Sequence, residues 1–308
     1  MPLHIQTPLI HSRPLSLAAG TEVWLKLEAL QPAGSFKLRG IGAACELHAR
    51  RGTRRFISSS GGNAGIAVAF AGRCLSIPVT VVVPETTTER ARALIRQEGA
   101  EVIVHGKAWH EANALAQSML GEADAFIHPF DDALLWQGHA TLVDEVAASG
   151  WRPDAVLLSV GGGGLFSGVV EGLQRNGWGA VPVITAETAG AASFAGSLEA
   201  GRRIELERID SVATSLGAKQ VCERAFELGR SHPVRARVVS DRAALQACER
   251  FLDEQRLLVE PACGAALALA YAGDGALRDF ERVMVVVCGG VTASLEQISA
   301  WKDALPEG

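Results

Sequence analysis

Short apolar runs alternate along this chain with segments of helical periodicity. The runs mostly fill consecutive positions with apolar residues, which is typical of strands buried on both faces. They lie at residues 23–27, 56–58, 79–83, 101–104, 155–160, 181–186 and 283–287. Helical patterns lie at residues 65–74 and 88–98. Strands of this kind belong to parallel sheets covered by helices, so the sequence predicts an α/β fold.

Three of the predicted strands run into turns built from small residues. Residues 58–65 are rich in serine and glycine, residues 161–164 are four consecutive glycines, and residues 288–290 are Cys-Gly-Gly. Backbone N–H groups in such loops bind phosphate and carboxylate groups. Ligands of parallel sheets bind beyond the carboxyl ends of strands, so we expect the three turns to meet at one pocket. For each turn alone, glycines that merely permit a tight turn are the alternative.

A lysine stands in the segment Ser35-Phe36-Lys37-Leu38-Arg39-Gly40, where an extended segment is expected to give way to a helix. A lysine held between an aromatic ring and a glycine-flanked turn can form a Schiff base with an aldehyde cofactor. A dinucleotide-binding fold is the competing interpretation of the glycine run. We discount it because no acidic residue ends a well-placed following strand, and because it leaves the lysine unexplained.

Composition and charge exclude several classes of protein. The chain has 308 residues, of which 48% are hydrophobic and 20% charged, so it can build a sizeable core in one large or two intermediate domains. The formal net charge of −5 argues against a nucleic-acid binder, which needs a basic face. The cluster Arg50, Arg51, Arg54 and Arg55 is interpreted as a solvated helix end and turn.

The cysteines and the amino terminus indicate a reducing, cytoplasmic setting. None of the 6 cysteines has the spacing of a CxxC motif or a zinc site, and a chain of this length needs no disulfides. No basic segment followed by an apolar run opens the sequence, so we expect no signal peptide. The longest apolar run, at residues 155–170, is interrupted by glycines and too short to span a membrane.

The motifs together resemble those of the fold-type-II pyridoxal-phosphate enzymes. Within them the chain is most similar to the L-serine/L-threonine dehydratases, in the short serine dehydratase and serine-dehydratase-like branch. The resemblance covers nearly the whole chain and is carried by residues 34–40, 58–65, 128–132, 159–165, 187–191 and 287–290.

The family resemblance implies a fold like that of the tryptophan synthase β subunit, in which each of two domains contains a mainly parallel sheet. Residues 1–37 and 131–308 are then the large cofactor-binding domain, and residues 38–130 are the small domain. The cofactor is expected in the cleft between them. The resemblance also implies a homodimer. Because the sequence ends at Gly308, soon after the last expected core elements, we expect no C-terminal regulatory domain and no control by isoleucine.

The resemblance assigns roles to single residues around pyridoxal 5'-phosphate. Lys37 is expected to form the Schiff base and to remove the Cα proton of the substrate, since a desolvated lysine is a base near neutral pH. Phe36 packs on the pyridine ring, Asn63 binds the ring hydroxyl, and Cys288 faces the pyridine nitrogen. The expected phosphate cradle consists of Gly161, Gly162, Gly163, Gly164 and Leu165. From the residues alone, core packing for Phe36, a simple turn at Asn63 and a structural Cys288 stay open.

A substrate loop and a cation site are implied in the same way. The loop expected to bind the substrate carboxylate consists of Ser60, Gly61, Gly62, Asn63 and Ala64. Many relatives carry alanine where Gly61 stands, so extra space there bears on the preference between serine and threonine. The expected monovalent-cation site, with K+ as a candidate, consists of Glu187, Ser193 and the carbonyls of Ala191, Leu216 and Ala218. A helix-capping glutamate is the alternative for Glu187.

The resemblance implies an L-serine/L-threonine ammonia-lyase, a dehydratase that releases pyruvate or 2-oxobutyrate plus ammonia. Serine racemase, threonine synthase and cysteine synthase chemistry on the same scaffold are alternatives. A catalytically inert protein that binds pyridoxal phosphate or an amino acid is the alternative of another class. No motif includes Trp136, His139 or His110, so these are assigned to packing or to the surface. We expect a small amino acid as the partner, and neither nucleic acid nor membrane.

Overall fold

The computed structural model describes residues 1–273, 275 and 277–305. Its strands are β1 (Leu9–His11), β2 (Glu22–Lys26), β3 (Arg55–Ser58), β4 (Val79–Val83), β5 (Glu101–Val104), β6 (Asp124–Phe126), β7 (Ala155–Ser159), β8 (Val183–Thr188), β9 (Val234–Val239) and β10 (Arg282–Val286). Its helices are α1 (Arg13–Ala19), α2 (Lys37–Arg50), α3 (Asn63–Leu75), α4 (Glu89–Gln97), α5 (Trp109–Ser118), α6 (Ala133–Ala148), α7 (Gly164–Arg175), α8 (Ser193–Ala200), α9 (Glu223–Ser231), α10 (Asp241–Gln255), α11 (Pro261–Ala272) and α12 (Leu295–Ala304).

The strands form two separate sheets. The larger has the order β1-β2-β10-β7-β8-β9, and every neighbouring pair in it is parallel except β1 with β2. The smaller has the order β5-β4-β3-β6 and is parallel throughout. Strands β4 and β7 are buried at every residue, as their continuous apolar sequences require. The predicted α/β class with mainly parallel sheets is therefore confirmed.

Helix α2 connects the two halves of the molecule. It packs against α3, which follows a strand of the smaller sheet, and against α6, which precedes β7 of the larger sheet. The strands of the smaller sheet all lie between residues 55 and 126. This agrees with a small domain at 38–130, but α2 contacts both halves, so the boundaries stay a prediction.

A buried ion-pair cluster anchors the start of α2. The guanidinium of Arg39, which is fully buried, donates to both carboxylate oxygens of Glu28 at 2.7 and 2.8 Å. It also donates to both oxygens of Glu145, at 2.6 and 2.8 Å. The amine of Lys26 completes the cluster with a 2.5 Å contact to Glu145. Two cations thus face two carboxylates, so that none of these four charges is left unpaired in the interior.

Within the described residues, none of the helices combines the length and the hydrophobicity that crossing a bilayer requires.

Candidate active site

The lysine motif and the Cys-Gly-Gly turn are held together by backbone hydrogen bonds. The N–H of Phe36 donates to the carbonyl of Cys288 at 3.1 Å, and the N–H of Gly290 donates to the carbonyl of Gly34 at 2.9 Å. Ser35 and Gly289 form an antiparallel bridge between these two contacts. Two segments separated by about 250 positions in the sequence therefore meet beyond the carboxyl end of β10.

Lys37 is the first residue of α2, and its amine lies among groups of both halves. The Nζ atom donates to the carbonyl of Pro129 at 2.6 Å and lies 5.2 Å from the centre of the Phe36 ring. Burial lowers the pKa of Lys37 to about 8. The amine can therefore lose its proton near neutral pH, which is what a nucleophile or general base needs.

Asn63 is the first residue of α3, and both the nitrogen and the oxygen of its side-chain amide form hydrogen bonds. Its Nδ2 donates to Glu260 Oε1 at 2.7 Å and to Ser215 Oγ at 3.3 Å, while its Oδ1 accepts from the N–H of Val291 at 3.2 Å. Val291 follows β10, Glu260 precedes α11 and Ser215 lies in the short helix Thr214–Leu216, so the loop after β3 reaches the half that holds the larger sheet. The side chain is buried, and its orientation is fixed by these contacts.

The four glycines lie between the end of β7 and the first turn of α7. Gly163 has a φ of +95°, which only glycine adopts readily, and a Cβ there would lie 2.4 Å from Ala225 Cβ. A Cβ on Gly162 would lie 2.4 Å from the Phe130 ring. Among the described residues, no hydrogen-bond partner is found for the N–H groups of Gly161, Gly162, Gly163 and Gly164. Leu165 follows in the first turn of α7, whose positive end completes a cradle for an anion.

The loop after β3 has less room at Gly61 than the sequence suggested. A Cβ there would lie 2.5 Å from Thr87 Oγ1 and 2.6 Å from Thr87 Cγ2. Ser60 Oγ accepts from the N–H of Gly62 at 3.3 Å, and Ala64 is buried in the first turn of α3. The space left by the missing methyl group at Gly61 is therefore taken by Thr87.

Cys288 is buried directly after β10. A hydrogen bond with Cys263, together with burial, raises the pKa of the Cys288 thiol well above its usual range. The thiol is therefore neutral at physiological pH and adds no negative charge to the pocket.

Glu187 ends β8 and caps α8 with both carboxylate oxygens. They accept from the N–H groups of Phe194 at 2.8 Å and Ala195 at 2.7 Å. Burial raises the pKa of Glu187 to about 7. The hydroxyl of Ser193 is buried and has no partner among the described residues. Glu187 therefore caps a helix, which was the alternative interpretation. The Ser193 hydroxyl beside the cap is an oxygen that a cation could use as a ligand.

The other residues of the expected cation site lie in turns. Ala191 ends the short helix Ala189–Ala191, and Leu216 ends the short helix Thr214–Leu216. The carbonyl of Leu216 accepts from the N–H of Ala218 at 2.8 Å.

The three side chains assigned to packing or the surface lie as expected. Trp136 Nε1 donates to the carbonyl of Phe130 at 2.8 Å, and its ring packs against the core. His139 is fully buried, with its ring centre 4.9 Å from that of Phe36. His110 is exposed on α5.

No pattern in the sequence indicates Glu260, Ser215 or Thr292, which the structure places around Asn63. Glu260 is buried at the start of α11, and Thr292 Oγ1 donates to its Oε2 at 2.8 Å. Burial raises the pKa of Glu260. The Glu-Pro pair at 260–261 is a visible helix-start signal, yet nothing in it indicates a site.

The fold and the lysine-centred site define a pyridoxal-phosphate dependent enzyme, and the chain belongs to that family, whose model matches residues 1–289. Among curated proteins, the L-serine dehydratase/L-threonine deaminase of Homo sapiens is 46% identical over 99% of this chain and 96% of its own. A serine dehydratase-like protein of Mus musculus is 49% identical over 98% of this chain and 94% of its own. The crystal structure of a fungal L-serine ammonia-lyase from Rhizomucor miehei superposes with a TM-score of 0.93, at 36% identity and 99% coverage of both chains.

Proposed function

We propose that this protein is an L-serine/L-threonine ammonia-lyase that depends on pyridoxal 5'-phosphate. The observation that carries the proposal is the Lys37 amine, whose pKa burial lowers to about 8 at the start of α2. The N–H of the preceding residue, Phe36, donates to the carbonyl of Cys288, and three residues further along the N–H of Val291 donates to Asn63. Full-length similarity to relatives named serine dehydratase supports the reaction class.

The residues present fit the cofactor. The N–H groups of the glycine cradle, without partners among the described residues, suit a phosphate at the start of α7. Phe36 offers a ring face, Asn63 Nδ2 a donor for the ring hydroxyl, and Cys288 a neutral thiol for the pyridine nitrogen. When bound, the cofactor supplies an aldehyde for condensation with an amine and a ring system that withdraws electrons from the substrate Cα.

Different residues of the chain then have different roles in the elimination. Lys37 Nζ would hold the cofactor covalently through its aldehyde and, when its amine is free, would take the Cα proton of the substrate. The N–H groups at Ser60, Gly61 and Gly62 hold the substrate carboxylate near the start of α3. The substrate loses its Cα proton and its β-hydroxyl, which together make one water, and tautomerisation and hydrolysis of the resulting enamine give the keto acid and ammonia.

A direct assay tests the proposed function. Purified protein loaded with pyridoxal 5'-phosphate is incubated with L-serine or L-threonine, and pyruvate or 2-oxobutyrate is measured together with ammonia. We expect equal amounts of keto acid and ammonia from at least one substrate.

D-serine without keto acid would instead indicate a racemase, and a sulfide-dependent product from O-acetylserine a cysteine synthase. A product from O-phosphohomoserine would indicate a threonine synthase. A spectral change with serine and no product at all would indicate a binding protein.

We also propose a monovalent-cation site at Glu187, Ser193 and the carbonyls of Ala191, Leu216 and Ala218. The unpartnered Ser193 hydroxyl and the buried Glu187 carboxylate support it, because a cation would offset the cost of burying that charge.

A cation bound only by the folded state stabilises that state by RT ln(1 + c/Kd), where c is the cation concentration, and so raises the unfolding temperature. We expect the melting temperature to be several degrees higher in 100 mM KCl than in 100 mM LiCl, on the order of 1–3 kcal/mol of stabilisation. The variant Glu187→Gln should show no such difference, while Glu199→Gln, on the exposed side of α8, should keep it. Equal melting temperatures of the unaltered protein in both salts would argue against the site.

The remaining family features are proposed on the same basis. We expect a homodimer in solution, a small domain at 38–130 and a cytoplasmic location. Light scattering on the purified protein tests the first of these, since a monomer mass of 32.4 kDa should then appear doubled.

A further inference from the structure

Glu260 is a carboxylate buried in the middle of the site, and the proposed reaction gives it no part. It is 4% exposed, and the groups that hydrogen-bond to it are neutral: Asn63, Ser215 and Thr292. A carboxylate buried among neutral donors costs free energy, and a neutral residue of the same shape would avoid that cost. The positive charge of Lys37 offsets part of this cost, and the hydrogen bonds of the carboxylate show what it does in the site.

The backbone around Glu260 is shaped to admit the carboxyl group. Gly290 has a φ of +116°, and a Cβ at that position would lie 2.1 Å from Glu260 Cδ. The glycine that follows β10 by four residues thus leaves space for Glu260 as well as for the backbone contact with Gly34. The approach of the carboxyl group to the Cys-Gly-Gly turn is a specific arrangement of the fold.

The contacts determine how the Asn63 amide is oriented. A carboxylate accepts hydrogen bonds and donates none, so the group that Asn63 turns toward Glu260 Oε1 must be its nitrogen, at 2.7 Å. The N–H of Val291 donates and accepts nothing, so the group it faces must be Asn63 Oδ1, at 3.2 Å. Only one of the two Nδ2 protons is used by Glu260. The second makes a long hydrogen bond of 3.3 Å to Ser215 Oγ, which an acceptor on a ligand would replace.

We propose that Glu260 is a positioning residue, which fixes the Asn63 amide so that its nitrogen and not its oxygen is presented to the ring oxygen of the cofactor. This inference rests on the proposed function, in which Asn63 binds that oxygen. A glutamine at 260 could donate to Asn63 as well as accept from it, so a turned amide would still be opposed by the N–H of Val291 but no longer by residue 260. The ring oxygen would then face a carbonyl oxygen, which repels it.

A double-mutant cycle on cofactor affinity tests this role. The dissociation constant of pyridoxal 5'-phosphate is measured by absorbance for the unaltered protein, Glu260→Gln, Asn63→Ala and the double variant. We expect Glu260→Gln to weaken binding about 10-fold, the size of one charge-assisted hydrogen bond. In a protein that already carries Asn63→Ala, Glu260→Gln should weaken cofactor binding by less than about 2-fold, because the amide that Glu260 positions is absent. The absorbance maximum should shift in both single variants.

The outcomes separate the inference from the proposed function. Effects of Glu260→Gln and Asn63→Ala that simply multiply, or no effect of Glu260→Gln, would overturn the positioning role. Failure of the unaltered protein to bind the cofactor or to release keto acid would overturn the proposed function. If Glu260→Gln does not fold, Thr292→Val serves in its place. It removes only the donor to Oε2, and we expect about a 3-fold loss of affinity that again disappears in Asn63→Ala.

Discussion

The variant Lys37→Ala should release no measurable keto acid from serine or threonine, which means a loss of at least about 10⁴-fold in turnover. The reason is that one amine serves both as the covalent attachment point and as the base. Nζ lies 2.6 Å from the Pro129 carbonyl, and burial has already lowered its pKa to about 8. The visible absorbance of the lysine-bound cofactor should disappear with the activity.

Two comparisons make the Lys37 experiment specific. Lys107→Ala removes an exposed lysine outside the site and should leave both the turnover and the absorbance unchanged. The melting temperature of cofactor-free Lys37→Ala should stay close to that of the cofactor-free parent, since the loss of the hydrogen bond to the Pro129 carbonyl is offset by no longer burying an amine. Full turnover by Lys37→Ala would remove the basis of the proposed function.

Most of the strands that the sequence revealed are largely buried, although β5, which has no buried residue, was revealed by its apolar sequence alone. Residues 79–83 and 101–104 match β4 and β5 at both ends. Strand β9, by contrast, is an edge strand whose sequence Val-Arg-Ala-Arg-Val-Val leaves several residues exposed, so it lacks a continuous apolar run. Strands β1 and β6 have three residues each, too few for any periodicity to show.

The local parts of the site were also visible in the sequence. The Lys37 segment and the four glycines are continuous motifs, and each lies where a strand end should place it. Contacts between distant segments were not visible. Glu260 bonds to Asn63 across 197 positions, and without the fold no pattern joins them.

The space at Gly61 shows how a substitution can mislead when its neighbour is unknown. Glycine in place of alanine suggested a roomier loop for the substrate. In the structure the side chain of Thr87, which precedes α4, lies where the missing methyl group would be, with its Oγ1 2.5 Å from that position. Gly61 and Thr87 therefore form a complementary pair, and any effect on substrate preference would come from both residues together.

The second large effect is expected from Arg39→Met, which removes the cation at the centre of the buried cluster. Glu28, with no exposed side-chain surface, would keep only the hydroxyl of Thr7 at 2.6 Å and the amide of Gln31 at 3.2 Å. Breaking a buried ion pair from one side leaves an uncompensated charge and costs about 3–5 kcal/mol. We expect a loss of this size in the free energy of unfolding, measured by urea denaturation of the cofactor-free protein.

Matched variants show whether the buried charge is the cause. Arg208→Met breaks a pair with Asp210 in which both side chains are more than 70% exposed, so it should cost less than about 1 kcal/mol. Adding Glu28→Gln to Arg39→Met should restore part of the lost stability, because it removes the carboxylate that Arg39 had neutralised. A loss from Arg39→Met no larger than that from Arg208→Met would mean that water or a rearranged Lys26 compensates Glu28. The cluster would then not be what anchors the helix that begins with Lys37.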